Sequence, residues 1–108
     1  LSMIKIEIVR NLEQAIVGFS VKGHANTAPH GQDIVCAGIS ALTQTAVLGL
    51  DRQLKKKVHL KIASGDLKMD LLDNPDALTN AILETMLIGL TEIGKINPQS
   101  VRILERRR

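Results

Sequence analysis

Apolar and charged residues alternate strictly at the start of the chain. Ile4, Ile6 and Ile8 fall on one face and Lys5 and Glu7 on the other. A period of two marks a half-buried strand, so residues 4–9 are expected to form one. A polar connection follows at 10–14. Ala15, Val17, Phe19 and Val21 then repeat the pattern, which predicts a second strand over 15–22 and a hairpin between the two. Residues 23–32 (Gly-His-Ala-Asn-Thr-Ala-Pro-His-Gly-Gln) have no period. Their glycines, proline and small polar residues read as a surface loop long enough to carry function.

Asp33 is a good N-cap, and residues 34–54 contain no proline, so a helix is expected there. Its apolar residues fall on nearly all sides as far as Leu50, the pattern of a buried helix. Ala37, Gly38, Ser40 and Ala41 are small and permit close approach by a sheet or a second subunit. The charged run from Asp51 to Lys57 ends the buried part. Val58, Leu60 and Ile62 alternate with His59 and Lys61, and Leu67, Met69 and Leu71 with Lys68 and Asp70. Ser64-Gly65 between them suits a two-residue turn and predicts a second hairpin.

Asn74-Pro75-Asp76 reads as an N-cap, a proline at the first helical position and an acidic first turn. The helix expected over about 75–94 presents Leu78, Ile82, Met86, Leu90 and Ile93 at helical spacing, with Gly89 inside it. Pro98 introduces a last short strand at 101–104, and Arg106–Arg108 read as a charged tail. The order β-β-α-β-β-α-β predicts an α+β fold, a two-layer sandwich in which a mixed, mainly antiparallel sheet packs against two helices, as a single domain over residues 1–108. Leu1 and Ser2 precede the first methionine and read as a remnant of recombinant expression.

Composition narrows the function. The chain has 108 residues, 44% of them hydrophobic, with one Phe and neither Trp nor Tyr, so its core must be aliphatic. Proteins that read RNA by base stacking need aromatic platforms, so direct nucleic-acid binding is not expected. The net charge of +3 permits work near an anionic surface such as a ribosome without requiring it. No apolar run appears long enough to span a membrane and no secretory signal is visible. The single cysteine fits a reducing compartment, so a cytoplasmic location is expected.

That cysteine is also the main chemical candidate. With Asp33 as N-cap, Cys36 would lie in the first helical turn. Unpaired N–H groups and the positive end of the helix dipole would favour its thiolate there and could hold an oxyanion. A base must come from elsewhere. His24 follows the second strand directly and a loop separates it from Cys36. His30 is a rival within the loop, and His59, on a strand facing solvent, is the weakest candidate. Asp33 could orient a histidine or cap the helix. Ser40, one turn beyond Cys36, could line a site or bond back to its own helix. The bland alternative makes Cys36 a small buried hydrophobe. His24, His30 and Cys36 could instead bind a metal, but their spacing matches no zinc pattern, so neither metal nor cofactor is expected. Gly23 and Gly31 form no phosphate-binding fingerprint, and Lys55–Lys57 and the terminal arginines read as solvated charge.

Two blocks, Gly23-His24-Ala25 and Gly31-Gln32-Asp33-Ile34-Val35-Cys36-Ala37-Gly38-Ile39-Ser40-Ala41-Leu42, resemble the signature of the ribosomal-processing cysteine protease family, Prp. The resemblance extends over nearly the whole chain. It implies a cysteine endopeptidase that removes an N-terminal extension from a large-subunit ribosomal protein, the twenty-seventh of its series, cutting after an aromatic residue. It also implies that Cys36 is the nucleophile, His24 its histidine, and Asp33 and Ser40 supporting residues. Residues 25–32 (Ala25, Asn26, Thr27, Ala28, Pro29, His30, Gly31 and Gln32) would form a loop that moves when substrate binds, and the protein would be a homodimer. Pro29 and His30 stand where many relatives carry an acidic residue and often a tyrosine. The reading from another class is a non-catalytic ribosome-associated binding module, in which Cys36 is core and the basic residues carry affinity.

Overall fold

The computed structural model describes residues 3–23, 30–63 and 65–108, with residues 30–33 described by their backbone alone. Strand β1 (Ile4–Arg10) turns into β2 (Ile16–Lys22), and helix α1 (His30–Leu48) runs on through a wider π-helical turn at Gly49–Gln53. The hairpin β3 (Val58–Ala63) and β4 (Asp66–Leu71) follows, then helix α2 (Ala77–Ile96) and strand β5 (Val101–Arg107). The sheet order is β3-β4-β2-β1-β5. Neighbouring strands are antiparallel except β1 and β5, which are parallel. The α+β sandwich with a mixed, mainly antiparallel sheet is therefore present.

Cross-strand register explains the core. Residues directly opposite one another share a face. Ile62, Leu67, Val21, Ile6 and Ile103 form one row across the sheet, and Leu60, Met69, Phe19 and Ile8 the next. Both rows face the helices. Phe19, Met69, Ile6 and Ile8 are fully buried there with Ile39, Leu50, Leu83 and Leu90 from the helical layer. The opposite face carries Lys5, Lys22, Lys68, Arg102 and Arg106, all exposed.

The helices lie side by side and antiparallel. Leu42 packs on Gly89, where an added Cβ would stand 2.8 Å from Leu42 Cδ1. Ile93 meets Gly38 and Ile82 meets Gly49 at the same interface. Small residues let the two axes approach. At the far end Gly94 lies against Val101 and Ile103, so α2 covers the β5 side of the sheet. Helix α1 therefore covers the β4 side, and its chain leads straight into edge strand β3.

Several boundaries differ from expectation. Helix α1 begins at His30, not after Asp33. The first turn needs no intrahelical N–H partner, and residues 30–33 contain no proline, so nothing stops the helix from extending back through them. This helix is also less enclosed than its composition suggests. Ile39, Thr43, Ala46, Val47 and Leu50 make its buried stripe, while Ile34 and Leu48 are exposed. Ile34–Gln53 is long and apolar enough to cross a membrane by length and mean hydropathy alone, with 28% of its most apolar window buried, contrary to the reading that no run reached that length. The helix packs its stripe on the sheet instead.

Helix α2 starts at Ala77 with Asp76 as N-cap, so Asn74 is not the cap. The Asp76 carboxylate accepts the Leu78 and Thr79 N–H groups at 3.0 and 2.9 Å, and the Thr79 hydroxyl accepts the Asp76 N–H. A side chain that meets two orphan donors outcompetes one placed two residues earlier. The ammonium of Lys56, 2.8 Å away, and the Thr79 amide hold this carboxyl below the usual carboxylate range. Lys56 is thus paired at the helix start, not loose surface charge. Strand β5 reaches Arg107 and pairs with β1 from Ile4↔Val101 to Arg10↔Arg107, so Arg106 and Arg107 belong to a strand and not to a tail. Arg10 closes that edge, donating to Glu84 of α2 and Glu105 of β5.

Candidate active site

The row Ile62–Leu67–Val21–Ile6 lies at the end of the sheet where β2 finishes, and Gly23 follows immediately. The Gly23 N–H donates to the Gly65 carbonyl of the β3–β4 turn at 2.9 Å. This bond fixes where the chain leaves the sheet. Gly23 has φ +99°, and an added Cβ would stand 2.3 Å from the Met3 carbonyl oxygen. Only glycine fits there without strain. His24 is the next residue and lies outside the described residues, as do Ala25–Pro29. The side chains of His30, Gln32 and Asp33 are likewise outside them, so the metal reading of His24, His30 and Cys36 is not addressed by the described residues.

Cys36 is the seventh residue of α1, in its second turn. This corrects the expectation that it sits in the first turn. At this depth a backbone N–H ordinarily bonds to the carbonyl four residues back. Cys36 therefore does not contribute a terminal N–H of its own, and the helix end lies one turn away, at residues 30–33.

A rotation of 100° per residue sets the direction of each side chain. Gly38, Leu42 and Gly49 meet α2, and Ile39, Thr43, Ala46 and Leu50 meet the sheet. Cys36 and Ser40 fall next round the helix, on the flank turned away from α2 and towards β3. Both are half-buried, and Cys36 packs on the margin of the core. The Ser40 hydroxyl accepts the Gln44 side-chain amide at 2.7 Å, and it is Thr43, not Ser40, that bonds back to the carbonyls of its own helix.

The axial level follows from the same contacts. Gly38 faces Ile93, next to Gly94, which rests on Ile103 in the row that ends at Ile62. Cys36 comes two residues before Gly38, on the flank of α1 turned away from α2. The β3 side chains on this face are Leu60 and Ile62, which are 39% and 64% exposed. Their neighbours in the same rows, Met69 and Leu67, are buried. The helical layer leaves these two β3 side chains uncovered, an aliphatic strip on the face of the sheet that the helices pack against. The alternation in the sequence placed Leu60 and Ile62 on the apolar face but carried no signal that the helix would leave them uncovered. His59, by contrast, lies on the opposite face, opposite Asp70 and exposed, so it does not face this flank. Asp66, opposite Lys22 at the end of β2, keeps one buried carboxylate oxygen without a hydrogen-bond partner among the described residues.

Comparison with known proteins settles the family. Residues 3–102 match the family model described as cysteine protease Prp. The chain belongs to the Prp family of cysteine proteases. It is similar to the ribosomal processing cysteine protease Prp of Staphylococcus aureus, 29% identical over 104 residues that cover 94% of this chain and 97% of that one. A shorter match to the Prp of Bacillus subtilis is 49% identical over 45 residues, 42% of this chain and 40% of the relative. Among solved structures it resembles the S. aureus Prp bound to a substrate peptide, with a TM-score of 0.89 and 25% identity over 96% of this chain and all of that one. It also resembles the same protease with a covalently linked product peptide, with a TM-score of 0.87 and 26% identity over the same shares of the two chains. This chain is thus a cysteine protease of the ribosomal-processing family, and the reading as a non-catalytic binding module falls.

Proposed function

We propose that this protease removes the N-terminal extension of a large-subunit ribosomal protein precursor, the twenty-seventh of its series, with Cys36 as nucleophile and His24 as base. One observation carries the residue assignment. A cysteine protease needs a reactive cysteine, the chain has only Cys36, and that residue stands half-buried on the open flank of α1, at the end of the sheet where β2 runs into His24. His24 takes the thiol proton, and the sulfur attacks the scissile carbonyl carbon. His24 then protonates the departing amine, leaving a thioester that water hydrolyses. The unpaired N–H groups of the first α1 turn, one turn from the sulfur, are the natural oxyanion donors. Asp33 and Ser40 support the pair, and no cofactor is required.

Relatives carrying the name ribosomal processing protease support this substrate class, and the S. aureus complexes with peptides support a peptide-bond target. The precursor incubated with this protein should lose its extension in a single cut, read by mass spectrometry. A precursor of unchanged mass would overturn the substrate assignment.

The site works in the cytoplasm, and the active form is a homodimer. An apolar groove of about 550 Å³ along the outer α1–α2 seam, lined by Ala41, Leu42, Gly49, Ile82 and Met86, supports the dimer. Exposed apolar surface of this kind favours association. Light scattering at micromolar concentration should give about twice the monomer mass, 11.8 kDa. A monomeric mass would exclude the dimer.

A further inference from the structure

We propose that the free edge of β3 receives the substrate backbone as an added strand, with Leu60 and Ile62 as the aliphatic floor for substrate side chains next to Cys36. The inference rests on the reading of Cys36 as nucleophile and goes beyond it to the way the peptide is held.

Three observations converge. First, β3 is an edge strand, hydrogen-bonded to β4 alone among the described residues. Across this pair the Leu72 N–H donates to the Lys57 carbonyl at 2.9 Å. In an antiparallel ladder hydrogen-bonded pairs recur every second residue. Residues 57, 59, 61 and 63 therefore turn their backbone groups towards β4. Val58, Leu60 and Ile62 turn theirs outwards, where an extended chain can pair with them.

Second, those same residues direct their side chains to the face that holds Cys36. Leu60 and Ile62 lie opposite Met69 and Leu67, inside the apolar rows, yet both are exposed. Natural sheets usually guard an edge with charge, a bulge or a cover. Here Lys61 charges only the outer face, and Leu60 and Ile62 leave exposed hydrocarbon on the inner one.

Third, a protease must hold its substrate extended for a sulfur to reach one carbonyl. β-Augmentation does this with main-chain bonds, while alternate side chains enter pockets. The occupant is thus an extended peptide with a bulky apolar side chain facing α1. An aliphatic floor accepts an aromatic ring through buried area alone, which suits a core that contains no Trp or Tyr.

The test uses Cys36→Ala, which binds without cutting, and a synthetic peptide of the precursor's extension. Saturation with peptide should slow hydrogen exchange at the Leu60 and Ile62 amides by about tenfold or more. His59 and Lys61, already bonded to β4, should be unaffected. In the otherwise unaltered enzyme, Ile62→Asp, at an exposed site, should cut kcat/KM by about tenfold, mainly through KM. Its iodoacetamide reactivity at Cys36 should be unchanged. Peptide binding without protection at Leu60 and Ile62, or full activity in Ile62→Asp, overturns the edge proposal and leaves the protease reading intact. If the unaltered enzyme neither binds the peptide nor cuts the precursor, the ribosomal substrate fails and this proposal fails with it.

Discussion

Replacing Cys36 with alanine is expected to lower kcat/KM for the precursor by about 10⁴-fold or more, the scale seen when a catalytic nucleophile is removed. No other thiol exists in the chain to take its place. The fold should survive, because Cys36 is only partly buried and touches the margin of the core, so the stability loss should be about 1 kcal/mol. Circular dichroism and a thermal melt would verify that, and mass spectrometry of the precursor would read the activity. In the unaltered protein, cleavage and iodoacetamide alkylation should rise together as the thiol ionises, since the thiolate is the reactive form. The helix end is a turn away from the sulfur, so its dipole helps less than it would in the first turn. On the proposed assignment His24 promotes this ionisation, so His24→Ala should impair both cleavage and alkylation at neutral pH. An alanine variant that cuts at the normal rate would remove thiol chemistry from this protein altogether.

The parts of this fold that were legible from sequence are those governed by local periodicity. The isoleucines of β1 and the alternations in β2, β3 and β4 specify faces, and the faces specify the core. Boundaries set by competition were harder to read. Asn74-Pro75 looks like a helix start until Asp76 is seen to engage two amides and Lys56 at once. Charged Arg106 and Arg107 look like a tail because the ladder bonds of a parallel edge strand leave no trace in side-chain chemistry. The start of α1 at His30 was hidden by Asp33, a residue that can cap a helix but does not have to. The family was readable from two short blocks. The exposure of Leu60 and Ile62 was not, because it depends on how far a helix layer reaches across a sheet, a property of tertiary packing that no local pattern encodes.

The second large effect is expected at Gly23. Alanine there should destabilise the protein by about 2 kcal/mol or more, since a non-glycine residue at strongly positive φ costs on the order of 1–3 kcal/mol before any clash. The clash is real: the new Cβ would stand 2.3 Å from the Met3 carbonyl oxygen, a backbone atom of the strand end beside it that has no rotamer to escape into. For a domain of this size the melting temperature should fall by roughly 10 °C. Relief requires the chain to swing away from β1, which strains the Gly23–Gly65 hydrogen bond and displaces the residue that follows. That residue is His24. Cleavage should therefore fall further than the folded fraction does, measured at a temperature where the variant is still folded. Gly38→Ala is the control. Its Cβ would meet only the end of the Ile93 side chain at 3.4 Å, and an alanine inside a helix gains up to about 1 kcal/mol, so stability should hold or rise. Urea titrations of both variants separate the cases. If Gly23→Ala melts like the unaltered protein and cuts normally, the proposal that this turn serves His24 as the base falls.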